Sequence, residues 1–252
     1  MTESAAPLER PPKTSARGDP ALNPMLSGLS CIRCQAGFAV GDYPEGCPAC
    51  LGRGKPSTLR SEYRELPNTL SDGRKRGMAR YAAWMPYTSW VSLGEGGTSC
   101  ARFPALADEV DASAIFIKNE GQNPSGSHKD RASCLTVTRA LDIGATKIVA
   151  ASSGNGGVSL ALYAAAAGLQ CCIVATPALS SVFRRAIEMT GAEIVTAPES
   201  LDRWRHVARM TKEQGWFPAT NYLDPPVGSN HFGLEGLRTV AYEIIEELGS
   251  NR

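Results

Sequence analysis

Two Cys-x-x-Cys pairs near the N-terminus have the spacing of a metal site. The pairs are twelve residues apart and consist of Cys31, Cys34, Cys47 and Cys50. Each pair places two thiolates on one tight turn, and two such turns complete the tetrahedral set that zinc prefers. The alternatives are four buried thiols or a redox pair, although a redox motif needs only one Cys-x-x-Cys. No histidine lies in this segment, so the sequence predicts one structural zinc ion.

A lysine stands where a predicted strand leads into a predicted helix. Residues 118–131 read K-N-E-G-Q-N-P-S-G-S-H-K-D-R and place Lys129 at the start of the helix. The positive end of the helix dipole disfavours a charged amine there and favours the neutral form that attacks an aldehyde. Most lysines are only solvated surface, but ligands of α/β sheets bind at loops that follow the strands. Lys129 is therefore the candidate nucleophile.

A second loop, residues 152–157, also joins a predicted strand to a predicted helix and reads Ser-Ser-Gly-Asn-Gly-Gly. Its glycines let backbone N–H groups approach an anion at the helix N-terminus. A plain glycine-rich turn is the alternative, but two serines and Asn155 add a concentrated set of polar groups. The loop is therefore predicted to bind a carboxylate or a phosphate.

Two nucleotide-binding motifs fail in detail. Gly121 and Gly126 have the spacing of a P-loop, but Ser127 stands where its lysine must be. The second loop begins a dinucleotide fingerprint, yet Ser159 occupies the third glycine position, and the next predicted strand ends without an acid for the ribose. Neither loop is predicted to bind a nucleotide.

The elements that must position these loops alternate between short β-branched runs and helical stretches. This alternation is typical of parallel βαβ units, so the predicted fold class is α/β with a doubly wound, mostly parallel sheet. Ser200 is a predicted N-cap, and Gly168 and Gly215 are predicted helix stops. The predicted strands are residues 115–117, 147–151, 171–175 and 194–196, and the predicted helices are residues 128–143, 158–167, 181–190, 201–214 and 235–248.

The composition excludes several classes of protein. The 252 residues include 26 basic and 25 acidic side chains, which gives no basis for a nucleic-acid partner. No run reaches the roughly 18 apolar residues of a membrane span, and the N-terminus has no signal-peptide core. It is proline-rich and charged, so residues 1–28 are predicted to be a disordered tail of a cytoplasmic protein. The other cysteines are predicted to be reduced core residues: Cys100, Cys134, Cys171 and Cys172.

Four segments resemble successive motifs of one enzyme family. They are residues 92–98 (S-L-G-E-G-G-T), 118–131, 152–157 and 234–236 with the helix that follows, and they occur in that family's order. With the cysteine module, they make the chain similar to the threonine synthases, which are pyridoxal-phosphate enzymes of fold type II in the tryptophan synthase β-subunit superfamily. The resemblance covers nearly all of the chain from Cys31 onward.

The resemblance implies a lyase of amino-acid biosynthesis that converts O-phosphohomoserine and water to threonine and phosphate. Lys129 would bind pyridoxal phosphate as a Schiff base and shuttle protons, and Asn155 would bond the ring hydroxyl. His128 would contact the cofactor phosphate or transfer a proton, with an ordinary structural histidine as the alternative. Ser153 and its loop would hold the substrate carboxylate. The implied substrate-binding set is Ser152, Ser153, Gly154, Asn155 and Gly156.

The resemblance also implies an organisation into domains. After the tail come a zinc ribbon at 29–54 and the N-terminal part of a larger domain at 55–120. A smaller α/β domain with both loops follows at 121–230, and residues 231–252 form a return helix into the larger domain.

Three departures from the family's pattern leave other functions open. His128 stands where the family usually has Phe, and Gly156 stands where it has Thr. The family's chain continues past Arg252 into a glycine-rich loop for the cofactor phosphate and a Ser or Thr at the pyridine nitrogen, so we expect an incomplete large domain. The alternatives are β-replacement or β-elimination on a serine-like substrate, or a catalytically incomplete zinc-ribbon subunit. The expected partners are a small amino acid, no membrane, and either a second copy or a complementing C-terminal polypeptide.

Overall fold

The computed structural model describes residues 19–249, and the first part of the predicted tail, residues 1–18, lies outside this range. Residues 21–28 are part of the fold, and they begin with β1 (Ala21–Leu22). The side chain of Asn23 donates hydrogen bonds of 3.1 and 2.9 Å to two carbonyl oxygens that lie 60 and 62 residues further along the chain. The prediction of a tail is therefore wrong for residues 21–28, because the rest of the chain satisfies their polar groups.

The cysteine module is built on a three-stranded antiparallel sheet. β2 (Leu26–Cys31) lies between β3 (Gly37–Phe38) and β4 (Leu59–Tyr63), and α1 (Pro48–Leu51) carries the last cysteine. Because β4 completes the sheet, the module extends beyond the expected bounds of 29–54. It has a small buried core of its own, which consists of Leu29, Cys31, Cys47, Cys50 and Leu59.

Short elements connect this module to the main body. A 3-10 helix, Gly77–Trp84, precedes β5 (Tyr87–Ser89), which pairs antiparallel with β1. β6 (Cys100–Arg102) and β7 (Phe116–Lys118) form a separate two-stranded antiparallel sheet, with α2 (Pro104–Glu109) between them in the chain. The first strand predicted for the βαβ alternation is therefore present as β7, but it pairs with β6 and not with the main sheet.

The main body is a parallel sheet covered by helices, which confirms the predicted fold class. Its strands are β8 (Lys147–Ala151), β9 (Gln170–Ala175), β10 (Glu193–Thr196) and β11 (Phe217–Pro218). The helices are α3 (Lys129–Asp142), α4 (Asn155–Ala167), α5 (Ser181–Glu188), α6 (Ser200–Gln214) and α7 (His231–Leu248). The strand order is β10-β9-β8-β11. The sequence interpretation missed β11, because two residues that include a proline show no periodicity.

Buried apolar side chains fill both faces of this sheet. Ile148 and Ile173 belong to a cluster with α3 and α4, whereas Val149 and Val174 belong to a second cluster with α6. Neighbouring residues of one strand thus point into different clusters, as expected for strands buried on both faces. Within residues 19–249, none of the helices has both the length and the apolar composition needed to cross a bilayer.

Some helix ends differ from their predicted positions, and others are confirmed. α7 begins at His231, four residues before its predicted start, because Asn230 accepts hydrogen bonds from the amides of Phe232 (3.0 Å) and Gly233 (3.3 Å). Ser200 is the first residue of α6 and not its N-cap. Two predicted helix stops are confirmed by glycines in the left-handed region: Gly168 (φ +74°) and Gly215 (φ +70°).

The backbones of α3 and α7 touch. A Cβ atom on Gly236 would lie 1.7 Å from the carbonyl oxygen of Arg131, and one on Gly233 would lie 2.1 Å from the Thr136 hydroxyl. At Gly236 no larger residue fits unless a helix moves, and at Gly233 at least the Thr136 side chain must turn, because protein interiors are close-packed. The two glycines therefore fix how α7 sits on the helix that begins with Lys129.

Polar contacts attach the cysteine module to the main body. Arg139 of α3 pairs with Asp42 at 2.7 Å. The carboxylate of Glu235 in α7 accepts a buried hydrogen bond of 2.8 Å from the backbone amide of Ser61 in β4. α7 is therefore held by α3 on one side and by the cysteine module on another.

Candidate active site

The two loops identified in the sequence lie side by side. β8 ends at Ala151, and residues 152–154 lead from it into α4. The first turn of α3 is joined to α4 by a hydrogen bond of 2.6 Å from the Ser159 hydroxyl to the Asp130 carboxylate. Ligands of parallel α/β sheets bind outside the carboxyl ends of the strands. The loops therefore lie together at the edge of the sheet where a ligand is expected.

Lys129 is the first residue of α3. Its backbone amide donates to the Ser127 hydroxyl at 3.0 Å, and its side chain is half-buried. The amine of Lys118 is held by Glu243 at 2.9 Å, whereas no carboxylate among residues 19–249 pairs with the amine of Lys129. The Lys129 amine is therefore available to a ligand.

His128 directly precedes this lysine at the N-cap position of α3. Its side chain is exposed and makes no capping hydrogen bond to the helix. The ring is therefore free to contact a ligand beside Lys129.

Asp130 is a buried residue of the site that sequence analysis missed. Its carboxylate accepts hydrogen bonds from the Ser125 amide at 2.6 Å, from the Ser125 hydroxyl and from Ser159. It therefore fixes the turn before Lys129 and ties that turn to α4. The available signal was an acidic residue in the first turn of a helix, where the dipole favours it.

Ser152 shapes the second loop from within. Its hydroxyl oxygen accepts a hydrogen bond of 2.8 Å from the backbone amide of Gly157, which lies in the first turn of α4. A Cβ atom on Gly157 would lie 3.0 Å from the Ile173 side chain, so a larger residue there would crowd β9. The side chain of Ser152 is thus used by the loop itself, whereas substrate binding was predicted for it.

Ser153 faces the carboxyl end of β9 and the start of α6. Its hydroxyl oxygen accepts hydrogen bonds from the amide of Thr176 (3.0 Å) and from Nη1 of Arg203 (3.3 Å). Sequence analysis identified neither of these two partners as part of the site, because they lie 23 and 50 residues away in the chain. A polar serine in this loop is therefore linked to a cation on another helix.

The N-terminus of α4 has the properties of an anion-binding site. Asn155 and Gly156 are its first two residues, and amides at these positions have no acceptor within the helix. The positive end of the helix dipole adds to the attraction for an anion. The Asn155 side chain is exposed, and a Cβ atom on Gly156 would lie 3.3 Å from the Ser152 hydroxyl. The edge can therefore hold a carboxylate next to a free lysine.

A buried ion cluster supports the first turn of α3 from behind. Arg131 is fully buried, and its guanidinium contacts Glu120 (2.7 Å) and Glu243 of α7 (2.7 Å). Burial alone would raise the pKa of Glu243, but hydrogen bonds from Arg131, the Gly97 amide and Lys118 lower it to about 2. The cluster fixes the position of Lys129, two residues away, relative to α7.

The segment at 92–98 has a structural role. Glu95 is buried and accepts hydrogen bonds from Trp90 (2.8 Å), the Leu93 amide (2.9 Å) and the Tyr163 hydroxyl (2.6 Å) of α4. Gly97 donates to Glu243 at 2.8 Å. This motif therefore ties the connecting region to both helices behind the site.

The chain matches the family model described as pyridoxal-phosphate dependent enzyme over residues 91–252. The chain belongs to this family. The match includes both loops and α7, whereas the cysteine module precedes it.

Within this family of pyridoxal-phosphate enzymes, curated relatives include threonine synthases. The chain is 30% identical to the threonine synthase of Methanocaldococcus jannaschii over 226 residues, which is 86% of this chain and 53% of that protein. It is 34% identical to the threonine synthase of Mycobacterium leprae over 168 residues, 66% of this chain and 44% of that protein. The chain thus spans about half the length of these relatives.

Solved structures of the family share the fold. A crystal structure of O-ureido-L-serine synthase matches with a TM-score of 0.52 and 27% identity, over 62% of this chain and 49% of that one. These structures confirm fold type II for the main body.

The residues at the edge of the sheet fit two parts of pyridoxal phosphate. An amine without a carboxylate partner suits the cofactor's aldehyde, and the exposed amide side chain of Asn155 suits its ring hydroxyl. The free amides at the start of α4 suit the carboxylate of an amino-acid substrate. The donor set at this edge is therefore compatible with the family's cofactor.

The four N-terminal cysteines form a cluster whose geometry fits a metal ion. Their sulfur atoms all lie within 4.8 Å of one another. The Cys31 and Cys50 sulfurs are 3.8 Å apart, and those of Cys34 and Cys47 are 3.6 Å apart. A tetrahedron with zinc–sulfur bonds of about 2.3 Å has edges of about 3.8 Å. The cluster is therefore of the right size for zinc.

Three of the other four cysteines are buried, as predicted for core residues: Cys134, Cys171 and Cys172. Burial raises the pKa of each of these thiols. Cys100 in β6 is half-buried. The buried three are therefore inert packing residues, since the thiolate is the reactive form of cysteine.

Proposed function

We propose that this chain carries the lysine and substrate-loop part of a pyridoxal-phosphate-dependent lyase that acts like threonine synthase, on O-phosphohomoserine. The main support for this proposal is Lys129. It is half-buried, has no ionic partner among the described residues and lies near the N-terminus of α4, which can bind an anion. The relationship to threonine synthases at 30% identity supports the choice of reaction. The cytoplasm is the proposed location.

Each candidate residue at the carboxyl end of the parallel strands has a proposed role. Lys129 would hold the cofactor through its aldehyde and would move protons at the substrate. Asn155 bonds the cofactor's ring hydroxyl, and His128 contacts its phosphate or transfers a proton. The amides of the loop and Ser153 hold the substrate carboxylate. When bound, pyridoxal phosphate supplies an electron sink for the bonds at the substrate's α-carbon.

Chemical trapping tests the assignment of the lysine. Borohydride reduction of the protein with pyridoxal phosphate, followed by peptide mapping, should place the pyridoxyl group on Lys129. Lys129→Ala should abolish the label, and Lys147→Ala is the matched control because this lysine begins β8 at the opposite end of the strand. A label on Lys118 or Lys147 would contradict the proposal.

A second candidate is β-replacement or β-elimination on a serine-like substrate. Gly156 lacks the hydroxyl of the Thr that the threonine synthases have at this position at the start of α4. In addition, this chain is 27% identical to O-ureido-L-serine synthase over the matched part. Product analysis distinguishes the two reactions. Threonine formed from O-phosphohomoserine supports the first, whereas turnover confined to serine-type substrates supports the second.

We propose that the cysteine cluster binds one structural zinc ion. All four ligand positions are filled by thiols, so no open position is left for catalysis. Metal analysis should find one zinc per chain, and Cys47→Ser should lose it. Cys100→Ser is the matched control, and unchanged zinc in the Cys47 variant would contradict the site.

We also propose that a complementing polypeptide, equivalent to the C-terminal half of the relatives, covers a surface beside β6, β7 and the end of α7. Within residues 19–249, that sheet has only two strands with free outer edges, and the chain spans 53% of the Methanocaldococcus relative. Contiguous exposed apolar surface marks an interaction site. Phe103, Phe116, Ile117 and Ile245 are exposed large apolar side chains on or next to these elements, and Phe116 and Ile245 line one cleft with Ile244 and Leu248.

Sedimentation with and without the C-terminal half of the Methanocaldococcus protein tests this surface. A complex should form, Ile245→Glu should weaken it, and Val182→Glu on α5 should not, although that side chain is also exposed. A stable homodimer of the chain alone that Ile245→Glu disrupts would point to a second copy and contradict the proposal.

A further inference from the structure

We infer that Arg203 is a positioning residue that prepares Ser153 and its loop for an anionic group of the substrate. This role rests on the proposed function in one respect only, namely that the anionic group is the free carboxylate of an amino acid. Arg203 lies in the first turn of α6, on a different element from both loops. It reaches the loop through a single hydrogen bond of 3.3 Å to the Ser153 hydroxyl.

The contacts of Ser153 determine what its hydroxyl can do. The oxygen accepts from the Thr176 amide at 3.0 Å and from Arg203 at 3.3 Å, which occupies both of its lone pairs. The hydroxyl hydrogen is then left to donate, either to the Thr176 hydroxyl at 3.2 Å or to a ligand. A hydroxyl that accepts from a guanidinium is polarised into a stronger donor. Arg203 therefore turns Ser153 into a donor for an acceptor with negative charge.

The charge of Arg203 is not neutralised by the protein. Its neighbour Arg205 pairs with Asp202 at 3.0 Å, but among residues 19–249 no carboxylate pairs with Arg203. Its Nε atom is buried without an acceptor. A cation in the first turn of a helix is also disfavoured by the helix dipole. An anion bound at the loop would offset this uncompensated positive charge.

Two sources of positive potential converge at this point. α4 begins at Asn155, two residues after Ser153, and its positive end faces the same edge of the sheet. Arg203 adds a full charge from α6. A carboxylate gains from both, whereas a carboxamide of the same shape gains little from either. Arg203 therefore strengthens the preference of this loop for a carboxylate over a neutral group of the same shape.

Titration of ¹⁵N-labelled protein with acetate and with acetamide tests the preference without cofactor or turnover. The amide signals of residues 153–157 should respond to acetate and far less to acetamide. Arg203→Met should weaken the response to acetate at least about tenfold, since a hydrogen bond to a charged group is lost. Arg203→Lys should retain part of the selectivity, and Arg205→Met should leave it unchanged.

Equal responses to acetate and acetamide in the unaltered protein would overturn the inference. So would an Arg203→Met variant that keeps the selectivity of the unaltered protein. If that variant does not fold, Arg203→Gln decides, because it removes the charge and keeps a side-chain donor. The titration involves no reaction, so absence of threonine formation would refute the proposed function and leave this result standing.

Discussion

Replacement of Arg131 by methionine should be the most destabilising single change near the site. The variant keeps the apolar length of the side chain but leaves the buried carboxylate of Glu243 without its cation, and Glu120 loses the same partner. The pKa of Glu243 falls from the usual 4.5 to about 2 in the folded protein, which corresponds to about 3 kcal/mol of folding free energy at neutral pH. Breaking a buried pair typically costs about 3 to 5 kcal/mol. We expect a loss in that range at pH 7.

Urea denaturation followed by tryptophan fluorescence measures this loss. Because the pKa of Glu243 is lowered by folding, its contribution is complete above about pH 5 and disappears as the pH falls from about 4.5 toward 2. The difference in free energy of unfolding between the unaltered protein and Arg131→Met should therefore shrink as the pH is lowered. Arg139→Met is the matched control, and it should cost less because the carboxylates of Asp42 and Asp142 retain 29% and 24% exposure. A loss below about 1 kcal/mol at pH 7 or a difference that does not change with pH would refute the reasoning.

The remaining predictions concern packing, capping and the ligand edge. Gly236→Ala should destabilise the protein by at least about 2 kcal/mol, since its Cβ would lie 1.7 Å from a carbonyl oxygen; thermal unfolding checks this. Asn230→Ala should cost about 1 kcal/mol by removing the cap of α7, and an unchanged midpoint of urea unfolding would contradict it. Asn155→Ala should shift the visible absorbance of bound cofactor, whereas Ser153→Ala should mainly weaken amino-acid affinity by about 1 to 3 kcal/mol. Wild-type spectra and affinities in both variants would argue against these roles.

The sequence predicts well those features that depend on neighbouring residues. β8 occupies its predicted residues, and Gly168 and Gly215 end helices as expected, because left-handed glycines act locally. The cysteine cluster also follows from spacing alone. By contrast, β11 exists only because Phe217 and Pro218 lie against β8, and no local pattern marks it.

Parts of the candidate site could not be predicted, because they depend on contacts between distant segments. Arg131 meets Glu243 across 112 residues of chain, and Arg203 meets Ser153 across 50. Within the sequence these arginines look like any other basic side chains of amphipathic helices. The position of Lys129 at the start of α3 could be predicted, because a strand-to-helix junction has a recognisable local pattern.

The hydrogen bond between Ser61 and Glu235 has a consequence for biosynthesis. The two residues are 174 positions apart, so the strand that completes the cysteine module leaves the ribosome long before its partner on α7 is translated. Synthesis at roughly 5 to 20 residues per second gives a delay of about 10 to 35 seconds. During that interval the surface of the module that contacts α7 has no partner. Nascent chains are therefore expected to expose the Ser61 face of β4 to chaperones and proteases until α7 is made.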